Sequence, residues 1–333
     1  MKATLEDIAA EAGLGRATVE RVLNGRGGVR AETAEKVLIA ARKLDYPKRL
    51  PERHRGLIRI EVILVRPEAT FFARLSRSFE RIAATLDPSV SVHRTFVEEA
   101  DPAAIADRIL GPHARRSGLI LAVPQYQEVG AALNRLLGDG LPIVQVVTRM
   151  DGVDAEFVGI DNEAAGRTAG LLLAAMQPRA GTVVALCHSH VYSIHRQRIG
   201  GFSHGMHRHG RRHLNFAEIL YTNDDPIEGA AQLADALRRY PDLAGLYNAG
   251  GGNFALCDVL RKHRSRSIVF VGHELTERTT AALRDGTMQV VLDQAPEAQA
   301  RRAMDIMLWR LGILEPAVDN PPIRFTTITA ENI

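Results

Sequence analysis

Thr4-Leu5-Glu6-Asp7-Ile8-Ala9-Ala10-Glu11-Ala12-Gly13-Leu14-Gly15-Arg16-Ala17-Thr18-Val19-Glu20-Arg21-Val22-Leu23-Asn24-Gly25 places two helical periods around a glycine break. Leu5, Ile8, Ala9 and Ala12 fall at i, i+3, i+4 and i+7, which predicts one apolar helical stripe over 4–12. Thr4 stands at the N-cap with Asp7 in the capping-box position. Gly13 supplies a left-handed stop. A second helix starts near residue 15, with Val19, Val22 and Leu23 inward, and Asn24-Gly25 ends it. A third, about 31–44, turns Ala34, Val37, Leu38, Ala41 and Leu44 inward and stops at Tyr46-Pro47. Two short helices joined by a glycine turn and braced by a third form a helix-turn-helix pattern. Arg16, Ala17, Glu20 and Arg21 face away from the apolar side of the second helix. An arginine there can donate twice to guanine O6 and N7, and an alanine can touch a thymine methyl. Thr18 suits a phosphate contact or packing at the turn. A three-helix interaction module with solvated arginines has the same periodicity.

Downstream, short β-branched runs alternate with amphipathic stretches. Strands are expected at 58–65, 91–97, 118–123, 143–147, 157–160, 182–187, 217–221, 244–247, 267–271 and 288–292. Helices are expected at 71–86, 102–110, 127–138, 163–176, 196–210, 227–239, 253–263, 275–285 and 295–311. This alternation predicts parallel sheets with right-handed crossovers. Ten strands exceed one comfortable sheet, so two doubly wound lobes are expected, with ligand beyond the carboxyl ends of the strands. The fold class is therefore α/β: an N-terminal helix-turn-helix headpiece and a two-lobed, doubly wound parallel-sheet body. The expected divisions are a headpiece at 1–47, a basic linker at 48–59, and the body at 60–333. Lobe one takes about 60–160 plus 293–320, and lobe two about 161–292 plus 321–333.

Composition narrows the class. The chain has 333 residues, 46% hydrophobic and 24% charged, ordinary for a soluble globular protein. No apolar run reaches bilayer length, and residues 1–13 carry Glu6, Asp7 and Glu11 rather than a signal peptide's apolar stretch. Cys187 and Cys257 are too few for a disulfide framework, so a reduced, cytoplasmic setting is expected. The formal charge of +3 is uneven: residues 1–59 hold 13 Lys+Arg against 8 Asp+Glu. Within them residues 1–47 are nearly neutral, whereas Lys48, Arg49, Arg53, Arg55 and Arg59 face only Glu52. The linker charge predicts salt-dependent phosphate contacts, and Arg16 and Arg21 the base reading.

Enzymatic motifs are weak. No G-x-G-x-x-G follows the first strand, and neither a P-loop nor a G-x-S-x-G elbow occurs. Gly250-Gly251-Gly252 follows a strand without a ribose-reading acid clearly placed after it. His188, His190, His195, His204, His207, His209 and His213 cluster, but interleaved arginines disfavour a cation, and a solvated basic helix face is expected. The expectation is no enzyme, no metal and no cofactor.

Residues 4–9, Ala12-Gly13-Leu14 and 17–25, followed by Val29, Thr33, 35–37 and 44–46, resemble the headpiece of the lactose/galactose repressor family. The resemblance implies an operator-binding role for Thr4, Arg16, Ala17, Thr18, Arg21, Asn24, Lys48, Arg49 and Leu50. Gly15 and Glu20 stand where that family carries serines, which removes a side-chain cap and adds a carboxylate near phosphates. Pro51 and Gly56 oppose the family's hinge helix, leaving a shorter hinge or an irregular basic tether.

The body resembles the same family's effector domain, related to periplasmic sugar-binding proteins. The carrying residues are Phe71-Phe72-Ala73, 158–162 with Ala165-Gly166, Arg198 with Gly201-Phe202, 271–274, and Gln294. The resemblance implies sugar contacts from Phe71, Phe72, Arg149, Arg198, Asn248, Glu274 and Gln294. Either Asn248 or Asn253 fits the family's asparagine, and Thr148-Arg149 lacks its aspartate. Asp161-Asn162 suits a helix cap better than a ligand contact. An arginine beside a carboxylate grips adjacent hydroxyls through charge-assisted bonds. The implied function is a sequence-specific transcriptional regulator, most simply a repressor. Its partners are a pseudo-palindromic double-stranded DNA operator, a sugar-like effector and a second copy in a homodimer or tetramer, with no membrane. A ligand sensor that does not repress at an operator, or a sugar- or nucleotide-dependent enzyme, are the other classes.

Overall fold

The computed structural model describes residues 3–24, 29, 31–44, 46, 57–111, 116–187, 193–209, 213–223, 225–264 and 267–333. The chain divides into two compact units, Met1–Ile58 and Arg59–Ile333.

The first unit has α1 (Leu5–Ala12), α2 (Arg16–Leu23) and α3 (Ala31–Lys43). Thr4 caps α1 as its position predicts. Its hydroxyl accepts from the Asp7 amide at 3.3 Å, and Asp7 Oδ2 accepts from the Thr4 amide at 2.8 Å. The Thr4 amide first, and then the Thr4 hydroxyl, which also donates to Asp7 Oδ2 at 2.7 Å, hold the Asp7 carboxyl below the ordinary range. Gly13 ends α1 at φ 65°, a conformation costly for residues with a Cβ. Gly15 gives α2 no side-chain cap. Ile8, Val19, Val37, Ala40 and Ala41 form the buried centre, with Val22, Leu23 and Leu44 packed against it. The linker expected at 48–59 lies outside the described residues through Gly56, and its last two positions already belong to a strand.

That strand is β1 (Ile58–Leu64). It is followed by α4 (Thr70–Ala83), β2 (Val90–Phe96), α5 (Pro102–Leu110), β3 (Gly118–Ala122), α6 (Gln127–Gly138), β4 (Ile143–Val146) and β5 (Glu156–Val158). Their sheet runs β2-β1-β3-β4-β5. After α7 (Asn162–Met176) come β6 (Gly181–Cys187), α8 (Ser193–His209), β7 (Leu214–Tyr221), α9 (Pro226–Arg239) and β8 (Leu243–Asn248). Next are α10 (Asn253–Arg261), β9 (Val269–His273), α11 (Glu277–Arg284), β10 (Val290–Asp293), α12 (Pro296–Arg310) and β11 (Thr326–Ile328). The second sheet runs β11-β10-β9-β8-β6-β7, with β10–β11 antiparallel and its other neighbours parallel. Every residue of β3, β6, β8 and β9 is buried, the pattern of parallel strands covered on both faces.

The chain crosses between sheets after β5 and again after β10, where Ala295 adopts φ 52° and α12 returns to pack on α4 and β4. A third passage is marked by the bridge between Ile160 and Ile323. In each sheet the order reverses beside the first strand of the lobe, β1 or β6, which puts a ligand crevice at the carboxyl ends.

Helices α7 and α8 approach through glycines. A Cβ at Gly166 would sit 2.1 Å from the Arg198 carbonyl oxygen, and one at Gly201 would sit 2.1 Å from that of Glu163. This close approach sets the backbone that presents Arg198. Gly166→Ala is expected to lower stability by about 1–3 kcal/mol through overpacking. Urea unfolding checks this, and an unchanged midpoint would show that the helices separate freely.

Candidate functional site

Two surfaces carry the chemistry. On the headpiece, Arg16, Ala17, Glu20 and Arg21 are all exposed on α2. Arg16 is paired with Glu6 of α1. Arg21 has no ion pair among the described residues. Thr18 is half-buried, and Asn24 closes α2 through its backbone amide. The Thr4 hydroxyl is occupied in the cap, so its contribution here is to hold α1. Lys48, Arg49 and Leu50 lie outside the described residues.

In the second unit a cleft of about 1060 Å³ opens at the strand ends. From lobe one it is lined by Arg66, Phe71, Phe72, Arg74, Glu99 and Thr148, from lobe two by His195, Arg198, Asn253, Glu274 and Thr276, and from the passage after β10 by Gln294, among others. Five residues expected from the sequence therefore meet here: Phe71, Phe72, Arg198, Glu274 and Gln294. The two phenylalanine rings meet edge to face, with centroids 5.4 Å apart.

Arg149 and Asn248 are placed elsewhere. Arg149 is exposed and absent from the lining, because Val147 turns at φ 72° and leaves Thr148 facing the cleft. Asn248 is buried beneath the cleft wall. Its amide donates to Gly251 O at 2.7 Å and Asn253 Oδ1 at 2.9 Å, so it shapes the glycine loop from behind. Asn253 is the asparagine at the cleft surface, and it donates to the His273 carbonyl at 2.7 Å.

Arg198 is 2% exposed. Its Nε donates to Asn162 Oδ1 and its Nη1 to Ala249 O, both at 2.8 Å. Asn162 thus orients the arginine, while Asp161 caps α7 by accepting from Ala164 N at 2.7 Å.

Glu274 turns at φ 69° after β9 and brings its carboxylate beside Gln294, whose amide donates to Oε1. Oε2 is buried with no hydrogen-bond partner among the described residues. Burial first, then the neighbouring Asp293 charge, pushes the carboxyl from its ordinary 4.5 up to about 7, against the lowering pull of Gln294, Arg198 and Arg74. Between those two pH values the unfolded chain has released its proton and the folded chain holds it, so stability falls as pH rises through that window. Glu274→Gln removes the cost. Relative to wild type it should gain stability from pH 4.5 to 7, by at most about 3 kcal/mol for a shift of this size. Unfolding midpoints at pH 5 and 8 test this, and a pH-independent difference between the two proteins would contradict it.

Sequence patterning did not single out His195 as a cleft residue. It lies in the histidine cluster expected as a solvated basic face, and His204 and His207 are indeed exposed on α8. His195 is instead buried in the cleft wall, one helical turn before Arg198. Beneath it His273 is fully buried, with Nε2 2.9 Å from the Tyr247 hydroxyl. Burial, with Arg198 and His195 nearby, pushes its imidazole well below the ordinary value, so it stays neutral. Among the described residues no group of three or more His, Cys, Asp or Glu side chains is placed to hold a metal ion. Neither cysteine forms a disulfide, and both are buried. No helix of the described residues is long and apolar enough to cross a membrane.

Residues 4–48 match the model for bacterial regulatory proteins of the lacI family, and residues 60–311 match the periplasmic binding protein domain. The chain is 33% identical to the HTH-type transcriptional regulator reg1 of Streptomyces lividans over 50% of its length and 48% of that protein. It is 32% identical to the HTH-type transcriptional regulator MalR of Streptomyces coelicolor over the same shares of both chains. The chain thus spans about half the length of these curated relatives. Among solved structures, an ABC transporter solute binding protein from Burkholderia graminis in complex with D-arabinose superposes with a TM-score of 0.75 at 19% identity. That match covers 84% of this chain and 98% of the other, and it establishes a shared fold.

Proposed function

Because the chain belongs to the periplasmic binding protein domain family and carries a lacI-family regulatory domain at residues 4–48, we propose that it is an effector-controlled repressor of transcription. The observation that carries the proposal is the convergence of Arg198, Glu274 and Gln294 in one cleft beside Phe71 and Phe72. A guanidinium and a carboxylate supply donors and acceptors for vicinal hydroxyls, and aromatic rings cover the apolar face of a pyranose. The effector is a sugar or sugar derivative. The headpiece sets α2 in the major groove, with Arg21 and Arg16 toward base edges and the basic linker on phosphates. A homodimer in the cytoplasm presents two headpieces to a pseudo-palindrome, since a single short headpiece buries too little surface for tight specific binding. The effector regulates by binding the DNA-competent and DNA-incompetent states unequally. The chain acts by binding, and no catalytic role is assigned to any residue of the cleft.

A thermal-shift screen against monosaccharides, disaccharides, polyols and sugar acids, followed by mobility shifts on the DNA upstream of its own coding region, tests the proposal. A stabilising sugar that alters a specific shifted band supports it. Sugar binding without any DNA shift would instead identify a ligand sensor.

A further inference from the structure

Arg74 of α4 belongs to lobe one, yet its guanidinium reaches three groups outside that helix. Nη1 donates to Asp293 Oδ2 at 2.6 Å and to the Leu275 carbonyl at 3.2 Å. Nη2 and Nε donate to the two Glu297 carboxylate oxygens at 2.9 and 3.1 Å. Leu275 lies in lobe two between β9 and α11, Asp293 ends β10, and Glu297 opens α12 where the chain returns to lobe one. A single side chain therefore connects lobe one, lobe two and the passage between them.

Asp293 makes this connection specific. Its Oδ2 also accepts from Leu275 N at 2.9 Å, and its Oδ1 from Ala295 N at 2.9 Å. These amides follow Glu274 and Gln294, which touch each other in the cleft. Glu274 and Ala295 both hold left-handed backbone, at φ 69° and 52°, which for residues other than glycine needs support from the surroundings. The Arg74–Asp293 pair supplies that support on one side and reaches lobe one on the other. The Arg74 side chain is 19% exposed and that of Asp293 6%, so water screens the pair only partly.

We infer that Arg74 is a positioning residue: it latches the two lobes in the closed arrangement and seats the turns that present Glu274 and Gln294 to the effector. The inference rests on the cleft being the effector site. Separating the lobes draws Arg74 away from Leu275 and Asp293, so the latch and the shape of the site change together. Lysine cannot replace it, because a single ammonium lacks the planar fork that serves Asp293, Leu275 and Glu297 at once.

The test is the distance between spin labels at Ala131→Cys on α6 and Ala231→Cys on α9, both exposed positions, in the full ligand-free chain. The native cysteines are buried, and diluting labelled with unlabelled chain removes distances between copies. The wild-type background should give one short-distance population. Arg74→Met, which keeps the apolar stem, should add a longer-distance population of open molecules, and Arg74→Lys a smaller one. A wild-type distribution in folded Arg74→Met overturns the inference. If Arg74→Met does not fold, Arg74→Lys carries the test, and an unchanged distribution there overturns it equally. The measurement uses neither sugar nor DNA, so failure of the latch and failure of the repressor proposal are told apart.

Discussion

Arg198→Ala should lose the response to the effector while keeping operator binding. The arginine is buried in the cleft wall, where Asn162 and the Ala249 carbonyl hold it at 2.8 Å. Truncating one member of a buried, hydrogen-bonded charged contact costs about 2–5 kcal/mol, so effector affinity should fall by roughly 30-fold or more. The same change leaves Asn162 Oδ1 and the Ala249 oxygen without their donor, so some stability is lost as well. Arg198→Lys separates the two effects, because it retains charge without the fork. Calorimetry with the sugar found in the thermal screen reads the affinity, and mobility shift reads the DNA. Wild-type effector affinity in Arg198→Ala would remove this residue from the site.

Arg21→Ala should abolish specific operator recognition and leave ligand binding unchanged. Arg21 is exposed on α2 and has no ion pair among the described residues, whereas Arg16 is engaged with Glu6. Arg16 must therefore give up an intramolecular partner to reach DNA, and Arg21 need not. One bidentate arginine–guanine contact is worth about 1–3 kcal/mol, and a dimer loses two of them. Sequence-specific footprints should disappear in Arg21→Ala, while weak salt-sensitive binding through the basic linker persists. Arg16→Ala should cost less. Retained specific footprints in Arg21→Ala would contradict the assignment of α2.

The headpiece was legible because its cues are local. The apolar stripe of α1, the Thr4–Asp7 box and the Gly13 stop depend on neighbours within a few residues. The alternation of the second unit was legible for a related reason: strands buried on both faces read as continuous apolar runs, such as 181–187. β11 was not expected, because three residues at a sheet edge, Thr326–Ile328, carry too little pattern beyond Pro321-Pro322. In the cleft, Arg198, Glu274 and Gln294 could be placed through motifs at strand ends and helix starts. His195 could not, since its position depends on how α8 packs on α7 through Gly166 and Gly201. Arg149 and Thr148 are adjacent in sequence, and only the backbone turn at Val147 decides which of them faces the ligand. The connections of Arg74 span residues 74 to 297 and have no local signature.

We propose that this chain reads a DNA sequence as a two-fold assembly. In vitro selection from a random double-stranded DNA library with residues 1–333 tests this most directly. Enrichment of a pseudo-palindrome, lost in Arg21→Ala, is the predicted result. No enriched motif after repeated rounds, with the protein folded and binding sugar, would contradict it.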